Sequence, residues 1–325
     1  MNNDSNSTLS QDLPPWLHGA LYFAVGVMAV IGNIVNVLVL PKLTNYPESA
    51  KRFMTILAIN DLGHGMVMFS VFPCALLDRW LWGDIMCKIL GFLLFFFGGG
   101  GSTMLLLLNI DRYFAVSKPF IHQRYSSDRN ILLLCGSVLG AWFIFIQLCM
   151  TIESFLDNVR YDRVYRLCIT QLQNLQGVYP FLLSVCLYFQ IFVLLIIYIR
   201  LWQTSRQHSR RINAALTSIS SSQPEGGYRP EQRNDSQPQI HQQARSSEFK
   251  AMRTALIVTG FFILSYAPYS TVVVLNFLRV EIPPWLDATI LIIAVFNTWW
   301  NTFVYSIYNR KFREKFLKMF RGSTS

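Results

Sequence analysis

The sequence predicts an all-α membrane protein, a seven-transmembrane helix bundle followed by a short amphipathic eighth helix. Three observations carry this. Only 14% of the 325 residues are charged and 52% are apolar, whereas a soluble chain of this size carries about a quarter charged residues. Apolar stretches recur near 17–41, 53–77, 85–110, 131–153, 178–202, 254–278 and 284–308; about 20 such residues cross a hydrocarbon core of about 30 Å. Finally, the basic residues are lopsided. With the N-terminus outside, the outer segments keep only Arg79, Lys88, Arg160, Arg163, Arg166 and Arg279 of the 28 Lys and Arg. That asymmetry fixes orientation during insertion, with the N-terminus extracellular and the C-terminus cytoplasmic. The net charge of +10 therefore speaks of topology and not of nucleic acid.

The pieces follow in order. Residues 1–16 hold no Lys or Arg and no apolar core, so they read as an extracellular tail rather than a cleavable signal. Asn3-Asp4-Ser5 and Asn6-Ser7-Thr8 are glycosylation acceptors there; Asn234-Asp235-Ser236 is the same pattern on the inner side, where it cannot be used. The bundle occupies 17–308. Within it, roughly 204–247 is rich in Ser, Gln, Arg, Pro and Gly and reads as a disordered cytoplasmic loop. In 309–325, Phe312, Phe316 and Phe320 repeat at i, i+4, i+8 among basic residues, which fits a helix lying on the inner membrane surface or a simple charged tail. The run Gly98-Gly99-Gly100-Gly101-Ser102 interrupts the third span without disturbing its spacing. It reads as helix, serving either a kink toward a ligand cavity or close packing between helices.

Three constellations carry chemistry. Cys87 opens the third span and Cys168 lies between the fourth and fifth, both on the oxidising side, so they are expected to pair across a long loop, worth about 4 kcal/mol in the chain-entropy model. Cys74, Cys135, Cys149 and Cys186 fall within spans and read as buried thiols. Asp61 sits mid-span, where a carboxylate costs about 2.5–3.5 kcal/mol and needs partners. Asn297 and Asn301, one turn apart on the seventh span, complete a polar cluster that holds a cation such as sodium or forms a structural hydrogen-bond network. Asp111-Arg112-Tyr113 ends the third span at the cytoplasmic edge. Arg112 can be held by Asp111 and by Glu248 at the start of the sixth span, a pair that serves better as a latch than as a source of stability.

With these motifs in place the chain resembles rhodopsin-like (class A) G-protein-coupled receptors along nearly its whole length. The matching pieces are Gly32-Asn33, Leu57-Ala58-Ile59-Asn60-Asp61, and Cys87 standing 25 positions before Arg112, with Lys118-Pro119-Phe120 just after it. Trp142, Tyr198, Phe262, Pro268 and Asn301 to Tyr305 follow in the family's order. The resemblance implies a multi-pass plasma-membrane receptor that passes an extracellular signal to a heterotrimeric G protein. It implies that Arg112, Tyr198 and Tyr305 rearrange on activation, with Asp111, Tyr113, Glu248 and Asn301 around them, and that Phe120 contacts the G protein. The departures are Tyr266 for a Trp, Thr302 and Gln190 for prolines, and Gly101 for a serine that often helps to bind sodium.

The family register also places the ligand pocket at Leu94, Phe95, Gly98, Tyr266, Tyr269, Val273 and Leu291. Leu94 stands where amine receptors carry an Asp, and Val295 where opsins carry the retinal-binding Lys, so an apolar small molecule or a peptide is favoured over an amine or retinal. Glu153 and Asp157 lie at the outer rim, where they can meet a basic group. No Ser/His/Asp, paired-carboxylate or metal-ligand set appears in the spans, so the chain is not expected to be an enzyme and needs no cofactor. The competing reading is a seven-span scavenger or transporter-like protein that binds without signalling, but no internal repeat supports it.

Overall fold

The computed structural model describes residues 13–44, 46–152, 159–170, 178–221 and 236–320. Its helices are α1 (Pro15–Val39), α2 (Glu48–Leu76), α3 (Gly83–Ser117), α4 (Pro119–Tyr125), α5 (Asp128–Ile152), α6 (Val178–Ser221), α7 (Ser236–Phe277), α8 (Pro284–Tyr308) and α9 (Arg310–Phe320). A hairpin of β1 (Val159–Asp162) and β2 (Leu167–Thr170) lies between α5 and α6. Among the described residues, seven helices are long and apolar enough to cross a membrane: all but α4 and α9. Lipid offers no hydrogen bonds, so each crossing segment satisfies its backbone internally as helix. Ile31, Ile59, Leu132, Phe192 and Leu264 stay exposed on the outside, a surface suited to acyl chains rather than water.

The helices begin and end within a few residues of the apolar runs, with two differences of consequence. α3 continues to Ser117, so Asp111-Arg112-Tyr113 lies inside a helix rather than at its end. The polar segment expected to be disordered over 204–247 is instead helical where described: 204–221 extends α6 and 236–247 opens α7. Propagating an existing helix adds a bond for each residue fixed, and Arg206, Gln207, Arg210, Arg211, Ala214, Ala215 and Leu216 are good helix formers. Residues 222–235, and with them Asn234, lie outside the described residues, as do Asn3, Asn6, Glu153 and Asp157.

α3 is the hub, packing against α2, α5, α6, α7 and both strands. One apolar cluster gathers Leu57, Met104, Leu108, Phe262 and Tyr305 toward the Arg112 end. A second gathers Tyr22, Met68, Val71, Leu291 and Val295 toward the other end. There the disulfide between Cys87 and Cys168 fastens the hairpin to α3. Arg166, in the turn of the hairpin and 4% exposed, donates from Nε to Asp78 Oδ1 at 3.0 Å and from Nη1 to His18 Nδ1 at 2.8 Å. Tyr22 donates its hydroxyl to the Tyr165 carbonyl at 2.5 Å. One buried guanidinium and one phenol thus tie α1, the α2–α3 turn and the hairpin together. At the opposite end Asn309 Oδ1 accepts the Phe312 N–H at 3.1 Å, capping α9, and Phe312 is 1% exposed beneath Tyr305. Phe316 packs partly on the same cluster, so the tail is an amphipathic eighth helix; the Phe320 side chain lies outside the described residues.

The glycine run is continuous helix, and it serves both of the roles its composition left open. A Cβ on Gly99 would stand 2.0 Å from Trp142 Cζ2, and one on Gly100 would stand 2.7 Å from Asn60 Oδ1. A Cβ on Gly98 would meet nothing within 4 Å, because Gly98 faces a cavity. Gly99→Ala is therefore expected to cost about 1–3 kcal/mol by overpacking, whereas Gly98→Ala gains up to about 1 kcal/mol in helix propensity. Thermal denaturation of the two variants in lipid nanodiscs checks this, and shifts of the same sign and size contradict the packing described.

Candidate ligand cavity and coupling face

The three sequence constellations occupy three levels of one bundle. At the disulfide end lies a cavity of about 240 Å³. Leu94, Phe95, Gly98, Tyr266, Tyr269, Val273 and Leu291 all line it. Its mouth is formed by Asp162 and Tyr165 of the hairpin with Asn276 of α7 and Asp287 of α8; its floor reaches His64 of α2. Tyr165 donates to Asp287 Oδ2 at 2.5 Å and Asn276 Nδ2 donates to the same oxygen at 3.1 Å. Burial and then the Asp287 carboxylate push the Tyr165 phenol well above its usual range, so it remains a donor.

Beneath the floor is a second cavity of about 20 Å³ that shares His64 and adds Asp61, Ser102, Asn297 and Asn301. Asn301 Nδ2 donates to Asp61 Oδ2 at 2.7 Å, and Asn60 Nδ2 donates to the Phe97 carbonyl at 2.8 Å. His64 Nε2, Asn297 Nδ2 and Asn301 Oδ1 are buried without a hydrogen-bond partner. The space is about that of one water.

Two departures from the family pattern acquire local reasons here. Thr302 Oγ1 accepts from Asn36 Nδ2 at 2.7 Å, and a Cβ on Gly32 would stand 2.8 Å from that same oxygen. A bare α1 backbone therefore seats a hydroxyl where a proline has none to offer. Asn33 Nδ2 donates to the Thr298 carbonyl at 3.0 Å, adding a second bond between α1 and α8. Gln190 Oε1 accepts from Ser102 at 3.1 Å, joining α6 to α3.

At the far end Arg112 is fully buried. Its Nε donates to Asp111 Oδ2 at 3.0 Å and its Nη2 to Ser49 Oγ at 2.5 Å, with a further bond from Nη2 to Asp111. His122 of α4 meets Asp111 Oδ1 through Nε2 at 2.7 Å. Thr259 of α7 donates to Asn109 Oδ1 at 3.0 Å, so α3 and α7 are bonded one turn above. Tyr113 and Tyr198 pack beside Leu201 and Met252, and Tyr305 is 2% exposed with its hydroxyl unpartnered. Glu248 belongs to α7, but its side chain lies outside the described residues. Phe120 is 88% exposed at the start of α4.

The profile of the 7 transmembrane receptor (rhodopsin family) matches residues 32–305. The chain belongs to that family. The receptor is 26% identical to melatonin receptor type 1B-B of Danio rerio, over 94% of this chain and 83% of that protein. It is 26% identical to 5-hydroxytryptamine receptor 4 of Cavia porcellus, over 90% of this chain and 76% of that protein. The crystal structure of squid rhodopsin superposes with a TM-score of 0.72 at 17% identity, covering 95% of this chain and 87% of that one. Members of this family are receptors, not enzymes, and signal through G proteins from the plasma membrane as multi-pass proteins.

Several polar residues at these three levels escape sequence reasoning. His64 follows Asp61 by one helical turn, a legible signal that the acid overshadows. His122 and Ser49 reach Asp111 from a loop helix and from α2, and no periodicity announces such contacts. Removing the His122 ring leaves a buried carboxylate oxygen short of a partner, so His122→Ala is expected to cost about 1–3 kcal/mol. A double-mutant cycle with Asp111→Asn, followed by thermal denaturation, is expected to show coupling of about 0.5–3 kcal/mol. Strict additivity contradicts the contact.

Proposed function

We propose that this receptor carries its N-terminus outside the cell, takes a small, mainly apolar ligand into the 240 Å³ cavity, and opens its Arg112 face to a heterotrimeric G protein. The observation that carries this reading is the complete burial of Arg112 between Asp111 and Ser49, at the far end of a polar column that starts on the cavity floor at His64. A desolvated ion pair of this kind contributes little stability, yet losing one partner is costly, so it behaves as a two-position latch. The ligand acts by preferring the arrangement in which the latch is open. The excess of Lys and Arg at the Arg112 end supports the orientation. Cavity size favours a small molecule over a peptide, since it lies below the about 300–1,000 Å³ typical of drug-sized sites. Val295 offers no amine for a retinal Schiff base.

Residues Asp111, Arg112, Tyr113, Tyr198, Glu248, Asn301 and Tyr305 form the rearranging set in this reading, and Phe120 supplies an exposed apolar contact for the G protein. The Asp61 pocket holds one water or a small cation such as sodium; Asp61 and the unpartnered Asn301 Oδ1 would supply oxygens, with Asn297 beside them and no hydroxyl from Gly101. A seven-span protein that binds without signalling is disfavoured by the family assignment.

Nucleotide exchange measured on a panel of purified G proteins, with the full-length receptor in nanodiscs, tests the latch. Asp111→Asn is expected to raise ligand-free exchange by about 5–150-fold, the range of a typical coupling free energy, and Arg112→Ala to abolish it. Exchange that is unchanged in both variants on every G-protein class would falsify the reading.

A further inference from the structure

We propose that the cavity is built for a small organic cation whose ammonium group seats on Asp287 at the mouth and whose hydrogen-bonding group seats on His64 at the floor. This rests on reading the cavity as the receptor's ligand site, and it deepens that reading by naming a chemical class.

Asp287 is a half-buried carboxylate of α8 that lines the cavity. Two neutral donors, the Tyr165 hydroxyl and the Asn276 amide, fix its Oδ2 in place. Among the described residues no Lys, Arg or His pairs with it. Its position is therefore set, while its charge awaits a counter-ion. Asp162 lines the same mouth, its Oδ1 accepting the Val164 and Tyr165 N–H groups of the hairpin turn. Among the described residues no Lys or Arg lines the cavity. A concave site walled by apolar groups and carrying two acids concentrates cations and repels anions.

The floor supplies the second, independent observation. His64 is 4% exposed, and its Nε2 is buried without a hydrogen-bond partner. The ring lines the cavity beside Gly98, where even a Cβ would meet nothing. A polar atom left unpaired in a dry site is rare unless a ligand or water meets it. Between the two poles Phe95, Trp142, Tyr266 and Tyr269 form aromatic walls, suited to a flat ring and tolerant of a nearby cation. The sequence expectation against amines rests on Leu94 in α3. Asp287 supplies the missing counter-ion from α8, which revises that expectation.

The test uses the full-length receptor in nanodiscs and four matched probes: tyramine, with ammonium and phenol; phenethylamine, with ammonium alone; tyrosol, with phenol and a neutral alcohol; and hydroxyphenylacetate, with phenol and carboxylate. Affinity is read directly by ligand-observed NMR and thermal shift, without G protein. Tyramine is expected to bind at least about tenfold tighter than either single-group probe, as charge-assisted hydrogen bonds outrank neutral ones, and hydroxyphenylacetate is expected not to bind. Asp287→Asn is expected to erase the preference for tyramine over tyrosol while leaving tyrosol affinity unchanged. His64→Leu is expected to erase the preference for tyramine over phenethylamine and spare phenethylamine. If Asp287→Asn does not fold, Asp287→Ser is read in the same way. Equal affinity for tyramine and tyrosol, an ammonium preference that survives loss of Asp287, or no saturable binding of any probe at millimolar concentration overturns the proposal. Ammonium-selective binding without stimulated nucleotide exchange upholds it and removes only the signalling role of the cavity.

Discussion

Four consecutive positions on α3 without side chains set the geometry of everything around them. Where α3 is bare, Trp142 of α5 and Asn60 of α2 come against its backbone, and a membrane interior rewards such approach because packing, not water release, holds helices together there. Asn60 then donates to the Phe97 carbonyl, which sets the neighbouring Asp61 beside Asn301. On the side where nothing approaches, Gly98 leaves the 240 Å³ cavity open to its floor. The same run therefore makes a tight joint and an empty space at adjacent positions, on different sides of the helix.

From that joint a column of polar groups descends through the bundle: His64, Asp61 and Asn301, then Asn109 with Thr259, then Arg112 with Asp111, Ser49 and His122. Each group is expensive in lipid unless partnered, so each partner is a constraint on where two helices stand. Coupling between the ends needs no single wire; it needs an element with two arrangements that both ends bias. The incomplete bonding near the floor, and the burial of Arg112 at the other end, are where such an alternative arrangement has something to gain or lose.

Much of this was legible from sequence, for physical reasons. Spans are legible because lipid demands long apolar runs, and the Cys87–Cys168 bridge because few cysteines fall on the oxidising side. The seven cavity positions follow from the family's register counted from Arg112 and Pro268. What sequence hid is tertiary compensation. Thr302 looks like a lost proline until Gly32 and Asn36 are seen beside it, and Gln190 looks like another until Ser102 is. Asp287 sits near a helix start, where an acid is ordinary, and only Tyr165 and Asn276 from two other elements mark it as positioned. The polar stretch 204–221 reads as disordered by composition, whereas a helix already nucleated runs on through those residues.

The central claim is that the buried Arg112–Asp111 pair, bonded to Ser49 of α2 and His122 of α4, keeps the end of the bundle away from the cavity closed. The most direct measurement is the distance between spin labels at Asn130 on α5 and Lys250 on α7, both exposed, in nanodiscs with and without Asp111→Asn. The account predicts a single short-distance population in the parent receptor and a second, longer one in the variant. An unchanged distribution in the folded variant would contradict it.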